Sequence, residues 1–263
     1  LGVLVGVFSI IIVMTAMRAL QGKIEGELTQ LGASTFAVQK WPAVYFGGPE
    51  GFEKFWRRKN ITLPQGQQLR DRATLARNVG FESTFWNGTA ISRFEKTPPE
   101  VRMIGASPGT FAAKNWTVEE GRALIETDVD SAHPVCVLGN TLAKTLFPFG
   151  SAVGDEIKLD GINYSVVGVL ESKGASLGGE QDNFAVIPIT TGLNRYGRAW
   201  RSISIMIQAP SQLLYGDTVE QVRGVLRALR KVEPGKEDDF EIFSNDSLID
   251  QFKSFTFAVR IGV

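Results

Sequence analysis

The chain has 263 residues, with 28 lysines and arginines balanced by 28 aspartates and glutamates, so it can bury a substantial core and carries no net field drawing it to nucleic acid or acidic lipid. Hydrophobic residues make up 43% of it, which excludes collagen-like and disordered classes. One cysteine, Cys136, and one histidine, His133, exclude an intrachain disulfide framework, Cys/His-rich zinc sites and any metal site needing two imidazoles.

Residues 1–17, LGVLVGVFSIIIVMTAM, contain no charge. At a helical rise of about 1.5 Å they cover roughly 25 Å, slightly short of a hydrocarbon core of about 30 Å. They predict the end of a first transmembrane helix, with a signal-peptide remnant and a buried soluble helix as lesser alternatives. Gly2 and Gly6 give a GxxxG spacing, a weak sign of close helix approach. Beyond Arg18 the residues Leu20, Ile24, Leu28 and Leu31 recur on one helical face, predicting a stalk that runs outward over 18–32 and stops at Gly32.

TFAVQ (35–39) then reads as a strand, followed by a loop with Pro42, Gly47, Gly48 and Pro49 and an aromatic, basic stretch, FEKFWRRKN (52–60). Its Arg57, Arg58 and Lys59 beside Trp56 read as a solvated charge cluster, with a phosphate-bearing or protein partner as the second reading. Pro64 precedes a helix over 65–78 with Leu69, Ala73 and Ala76 on one face. Three runs rich in β-branched and aromatic residues, 79–86, 89–95 and 101–107, are separated by Asn87-Gly88 and Pro98-Pro99 and predict antiparallel hairpins.

From Ser107 the texture changes to short apolar runs broken by glycine: PVCVLG, a brief helix over 140–147, IKLDG, YSVVGVL and FAVIPIT. The last third holds a strand over 202–208, a helix over 217–232 capped by Asp217 or Thr218, a turn over 233–239 and a closing strand over 240–244. The tail turns apolar after Lys253, predicting a stalk and the start of a second membrane span over 247–263. The order is that of an α+β domain with a second lobe inserted between its halves.

Catalytic patterns are few. Gly105-Ala106-Ser107-Pro108-Gly109 matches GxSxG, with Asp128, Asp130 and His133 following in hydrolase order. The residue after the serine, which must donate its N–H to an oxyanion, is Pro108 and has none, and a proline there is expected to disfavour the helix start that the motif requires. His133 and Cys136 are three apart on a strand approach and point to opposite faces, so Cys136 reads as a small buried residue rather than half of a dyad. No phosphate-binding GxxxxGK[ST] occurs. The triplets beginning at Asn60, Asn87, Asn115, Asn163 and Asn245 match N-x-[ST] and carry no functional weight. The phenylalanines and five tryptophans suit either a core or an apolar cleft for an amphiphile. No catalytic, cofactor-binding or metal-binding residue is expected.

One ordered series of residues goes further. It comprises Gly6-Val7; Leu31-Gly32-Ala33-Ser34 entering the first strand; then Glu120-Gly121-Arg122, Asp128, Val135 to Gly139, Leu146-Phe147-Pro148, Val153-Gly154, Ile157, Gly161, Tyr164 to Val169, Gly178 and Val186 to Ile189. In this the sequence resembles the periplasmic core domain of MacB-like ABC transporter permeases, with FtsX-type and LolC/LolE-type lipoprotein-release permeases as relatives. The insert from Trp41 to Gln65 aligns with no family motif.

The resemblance implies a mixed-sheet porter lobe, halves 33–106 and 196–246, with an inserted strand-rich sabre lobe, 107–195, flanked by two truncated transmembrane helices in the bacterial inner membrane. It implies a non-catalytic domain on the periplasmic side, a cytoplasmic ATPase subunit or domain, a second permease copy forming a dimer, and a periplasmic adaptor or outer-membrane partner. Efflux or release of an amphiphilic substrate by mechanotransmission follows as the expected role. The alternatives are an FtsX-like regulator docking a cell-wall hydrolase and a membrane-anchored sensor.

Overall fold

Alternation within β1 (Thr35–Gln39) places Phe36 and Val38 in the main hydrophobic core and Ala37 and Gln39 on the opposite face of the sheet. The computed structural model describes residues 34–42, 49–173, 175–176, 179–180, 182–199 and 201–244. The expected spans and stalks at 1–17, 18–32 and 247–263 lie outside them. Among the described residues no helix is long and apolar enough to cross a membrane.

After β1 come α1 (Pro49–Arg57), α2 (Leu63–Arg72), β2 (Asn78–Gly88), β3 (Ala90–Ile91), β4 (Val101–Ala106), α3 (Pro108–Ala113), β5 (Val118–Gly121), α4 (Glu126–Asp130) and β6 (Val135–Leu138). They are followed by α5 (Asn140–Leu146), β7 (Glu156–Leu159), β8 (Ile162–Leu170), β9 (Ala175–Ser176), β10 (Gly179–Glu180), β11 (Phe184–Pro188), α6 (Ile189–Tyr196), β12 (Ser204–Gln208), α7 (Tyr215–Arg230) and β13 (Glu241–Ser244). The principal sheet has the order β13-β1-β12-β2-β4-β11-β6-β8-β7-β3, with β5 beside β8. Pairing is antiparallel except at β4–β11 and β6–β8, which are parallel. This is a mixed α+β sheet fold, and the β4–β11 pair joins strands from either side of residue 107 in one sheet.

Helices α2 and α7 cover one face of the β1-β12-β2 region. Leu69 from α2 and Val222 and Leu226 from α7 are fully buried in the same core as Phe36, Phe81, Ile205 and Ile207. Each such side chain contributes about 1.5–3 kcal/mol of transfer free energy. Helix α2 starts with a capping box: Thr62 Oγ1 accepts from the Gln65 amide at 3.4 Å and Gln65 Oε1 accepts from the Thr62 amide at 3.1 Å. Helix α7 ends at Lys231, in the left-handed region at φ 55. Its last-turn arginines complement the helix dipole and also anchor the following loop, Arg227 on Asp238 at 2.6 Å and Arg230 on Asp239 at 2.7 Å.

Several expectations need correction. Asn87-Gly88 is not a turn: β2 runs through both residues, pairing Asn87 with Arg102 and Gly88 with Val101. The 89–95 run supplies only β3, which pairs with β7. The two-residue turn with positive φ is Asp160-Gly161, φ 46 and 82, between β7 and β8. The stretch expected to be loop forms α1, and the helix expected over 65–78 ends at Arg72. Helix α7 begins before its expected caps, with Leu214 as N-cap and Thr218 buried inside the helix, donating to Leu214 O at 2.7 Å. Arg58 is not solvated: its side chain is 8% exposed and pairs with Glu241 at 2.7 Å, while Arg57 is 77% exposed. Pro108 does not prevent a helix start; it opens α3, where its missing N–H is needed by no intrahelical bond.

Candidate binding cleft

On the face of the sheet opposite α2 and α7, a second cluster forms around Ile104, Val137, Leu170, Phe184 and Val186, with Phe111 from α3 packed onto it. Beside this cluster, over β13, β1, β12, β2 and β4, lies a cleft of about 200 Å³. Alternation fixes what enters it. Glu82 and Thr84 of β2, Ser204 and Met206 of β12, and Arg102 and Ile104 of β4 line it, whereas Phe81, Ile205 and Met103 belong to the core on the other face.

The end of α3 supplies one wall. Asn115 is left-handed at φ 51, and the Trp116 amide turns back to Phe111 O at 2.8 Å, which brings Lys114 and Trp116 to the cleft. Trp116 stacks on Phe184 with centroids 5.3 Å apart and meets Phe111 edge-on at 5.5 Å. The Lys114 ammonium lies 5.2 Å from the Trp116 ring centroid and 2.7 Å from Glu82, and these side chains are 7% and 12% exposed.

The segment after β8 supplies the opposite rim. Ser172 Oγ and the Lys173 amide both donate to Asp182 Oδ2, at 2.7 and 2.8 Å, closing the excursion that carries β9 and β10. Lys173 Nζ donates to Lys114 O at 2.7 Å. Desolvation, and then the Lys114 ammonium, hold Lys173 below the ordinary lysine value, with Asp182 pulling the other way. The cleft therefore combines an apolar floor with an ion-paired polar rim.

The residues of the GxSxG pattern are structural. Ser107 is 2% exposed at φ −102, and its Oγ accepts from the Phe81 amide at 2.8 Å. A Cβ on Gly105 would lie 2.1 Å from the Phe85 ring, and one on Gly109 2.2 Å from Val79 O, so both glycines are required by close packing. Asp128 is 4% exposed and bound by Arg122 at 2.6 and 3.2 Å and by the Ile125 amide at 3.1 Å. His133 Nδ1 lies 3.7 Å from Asp128 Oδ1. Asp130 ends the short helix α4. Cys136 is buried in β6, and desolvation pushes its thiol well above the ordinary range. Among the described residues no cluster of three or more His, Cys, Asp or Glu is placed to hold a metal. Sequence reasoning missed Lys114, Trp116, Lys173 and Asp182, which come together only in the fold. The aromatic content was their sole advance signal.

Residues 1–229 match the family described as MacB-like periplasmic core domain. The macrolide export ATP-binding/permease protein MacB of Rhodospirillum rubrum is 26% identical over 254 residues, covering 95% of this chain and 36% of that protein. MacB of Hyphomonas neptunium is 28% identical over 252 residues, covering 95% and 37%. The chain thus spans little more than a third of the length of these curated relatives. Among solved structures, the periplasmic region of MacB from Actinobacillus actinomycetemcomitans has a TM-score of 0.66 at 18% identity, covering 88% of this chain and 98% of that one. The extracellular domain of the noncanonic ABC-type transporter YknZ from Gram-positive bacteria has a TM-score of 0.59 at 18% identity, covering 80% and 100%. These structures share its fold, and the sequence match extends from the first residue into the last turn of α7: the chain belongs to the family of MacB-like periplasmic core domains.

Proposed function

We propose that the chain is the non-catalytic extracytoplasmic domain of an inner-membrane ABC transporter permease, which couples ATP hydrolysis on another domain or subunit to export or release of an amphiphilic substrate. The family match over residues 1–229 carries this reading. One feature of the fold supports it. Phe36 pairs with Ser244, so the chain enters β1 and leaves β13 at the same end of the same sheet edge. In this reading the helices expected over 18–32 and 247–263 act as a pair of levers on that edge. In this reading 33–106 and 196–246 form the porter lobe and 107–195 the sabre lobe, and a second permease copy and a periplasmic adaptor or outer-membrane protein complete the machine.

The test is to purify the full-length natural protein from membranes in mild detergent, identify what accompanies it, and measure ATP hydrolysis and substrate movement with and without Leu28→Asp, which charges the apolar face of the expected stalk. An accompanying or fused ATPase whose hydrolysis continues while transport stops in the variant is the expected result. A co-purifying cell-wall hydrolase with no ATP-dependent transport replaces it with the FtsX-like regulator. Absence of any ATPase overturns the transporter.

A further inference from the structure

We propose that the exposed aromatic face of α1, centred on Trp56 and rimmed by Arg57 and Lys59, docks an acidic segment with apolar side chains that belongs to a protein partner on the side of the domain away from the membrane. The proposal rests on the permease reading for that direction and gives the partner a place. Its first support is a patch of rings outside both hydrophobic cores. Trp41 stacks on Phe52 with centroids 5.5 Å apart and meets Trp56 edge-on at 5.1 Å, while Trp56 itself is 65% exposed. Exposed large rings within a polar rim mark interaction surfaces, where tryptophan and arginine most often carry the binding energy. The face is also held still. Arg58 Nη1 donates to Lys40 O at 3.1 Å and to Glu241 at 2.7 Å, Arg230 Nη2 donates to Lys59 O at 2.8 Å, and Lys54 is paired with Glu237. A helix already fixed in place loses little freedom on binding.

The second support is charge. In a chain of no net charge, residues 49–60 carry Lys54, Arg57, Arg58 and Lys59 against Glu50 and Glu53. Glu241 neutralises Arg58, but among the described residues no carboxylate is paired with Lys59 or with Lys40, whose ammonium donates to Asn60 at 3.0 Å and lies 4.8 Å from the Trp41 ring centroid. Desolvation, and then the Arg230 charge, hold Lys40 below the ordinary lysine value, so an anion brought to this face relieves it. The cations stand around the rings instead of converging on one point, and Arg57 turns back to Glu53 at 2.6 Å. That arrangement suits carboxylates spread among apolar side chains better than a single phosphate. Position decides between protein and lipid. Through Arg58, α1 is tied to Glu241, which pairs with Gln39 at the end of the β1–β13 ladder opposite the Phe36–Ser244 end where the chain enters and leaves. Helices standing on that second end turn Trp56 away from the bilayer.

The test uses the full-length protein in phosphatidylcholine nanodiscs, with empty nanodiscs as the blank, and three fluorescein-labelled peptides of equal length that alternate aspartate with leucine, lysine with leucine, and aspartate with serine. Anisotropy is expected to show saturable binding of the aspartate–leucine peptide, with the other two at least about five-fold weaker. Trp56→Ala weakens that binding by about ten-fold or more, whereas Trp56→Phe stays within about three-fold. Arg57→Glu with Lys59→Glu weakens it by about five-fold or more at low salt, and the difference shrinks at about 0.5 M salt. Thermal unfolding verifies that each variant is folded. Binding undiminished in Trp56→Ala, or a lysine–leucine or aspartate–serine peptide binding as tightly, overturns the proposal. So does a Trp56→Ala change that separates copies of the chain in mass photometry or releases the protein from phosphatidylglycerol vesicles, since either gives the face to another occupant. ATP hydrolysis is read on the same nanodiscs. Hydrolysis without peptide binding overturns the docking face alone; peptide binding with the expected losses but without any ATPase overturns the permease reading and leaves the docking face standing.

Discussion

The ammonium of Lys114 stands 2.7 Å from both carboxylate oxygens of Glu82, tying the end of α3 to the middle of β2 across the wall of the cleft. Removing one partner strands a nearly buried charge, so Lys114→Met is expected to cost about 3–5 kcal/mol. Replacing both, Glu82→Leu with Lys114→Met, removes the stranded charge and costs less than either change alone. Thermal unfolding of the two single variants and the double variant in mild detergent checks this, and a double variant weaker than both singles contradicts it.

Asp128 gives a pH dependence of definite sign. Burial pushes its carboxyl up, but hydrogen bonds from Arg122 and the Ile125 amide, with the Arg122 charge and the nearby His133 ring, together hold it below the ordinary aspartate value. Its contribution is fully present above the unfolded value, about 3.9, and is lost as pH falls through the lower folded value. Asp128→Asn is therefore expected to destabilise by about 1–3 kcal/mol near neutrality, with the gap from wild type narrowing below about pH 4. Melting temperatures of both proteins across the acid range read it directly.

Helix α3 rides on β2 through two glycines. A Cβ on Gly80 would come within 2.3 Å of Thr110 N, and one on Gly109 within 2.2 Å of Val79 O. Backbone atoms on both sides leave no flexible group to yield, so Gly80→Ala and Gly109→Ala are each expected to cost about 1–3 kcal/mol. Because Lys114 and Trp116 directly follow α3, both variants also alter Trp116 emission. Unchanged stability and emission in either one rejects the close-packing account.

Ser107 and Cys136 share a negative prediction. Ser107→Ala abolishes no hydrolytic activity; it deprives the Phe81 amide of its partner and costs about 1–3 kcal/mol. Cys136, buried and with its thiol pushed up, is expected to resist alkylation in the native protein and to react only on unfolding. Mass spectrometry of the peptide containing Cys136, with and without denaturant, measures the difference.

Where one element's own pattern decides its structure, the sequence was enough. Ile205 and Ile207 alternating with Ser204 and Met206 announce β12, and Val222 and Leu226 on one face announce α7. Asn87-Gly88 misled because turn propensity is local, whereas β2 stays paired with β4 through both residues, with Gly88 buried opposite the buried Val101. The short helices α3, α4 and α6 have at most 8 residues, too few to display a period. The cleft was illegible for a different reason: Glu82, Lys114, Lys173 and Asp182 lie on segments that meet only after strands distant in sequence have paired.

Strand β1 is the first strand of the described chain, and both its neighbours, β12 and β13, lie near the far end of the sequence. During synthesis at about 5–20 residues per second, its two backbone edges therefore wait roughly ten seconds or longer for partners. If the preceding apolar residues are already seated in a bilayer, that wait passes beside a membrane surface, with Phe36 and Val38 still uncovered. Such a nascent chain is a natural client for a holding chaperone. Its sheet can be sealed only after nearly all of the domain has been made, because closure depends on the last two strands rather than the first.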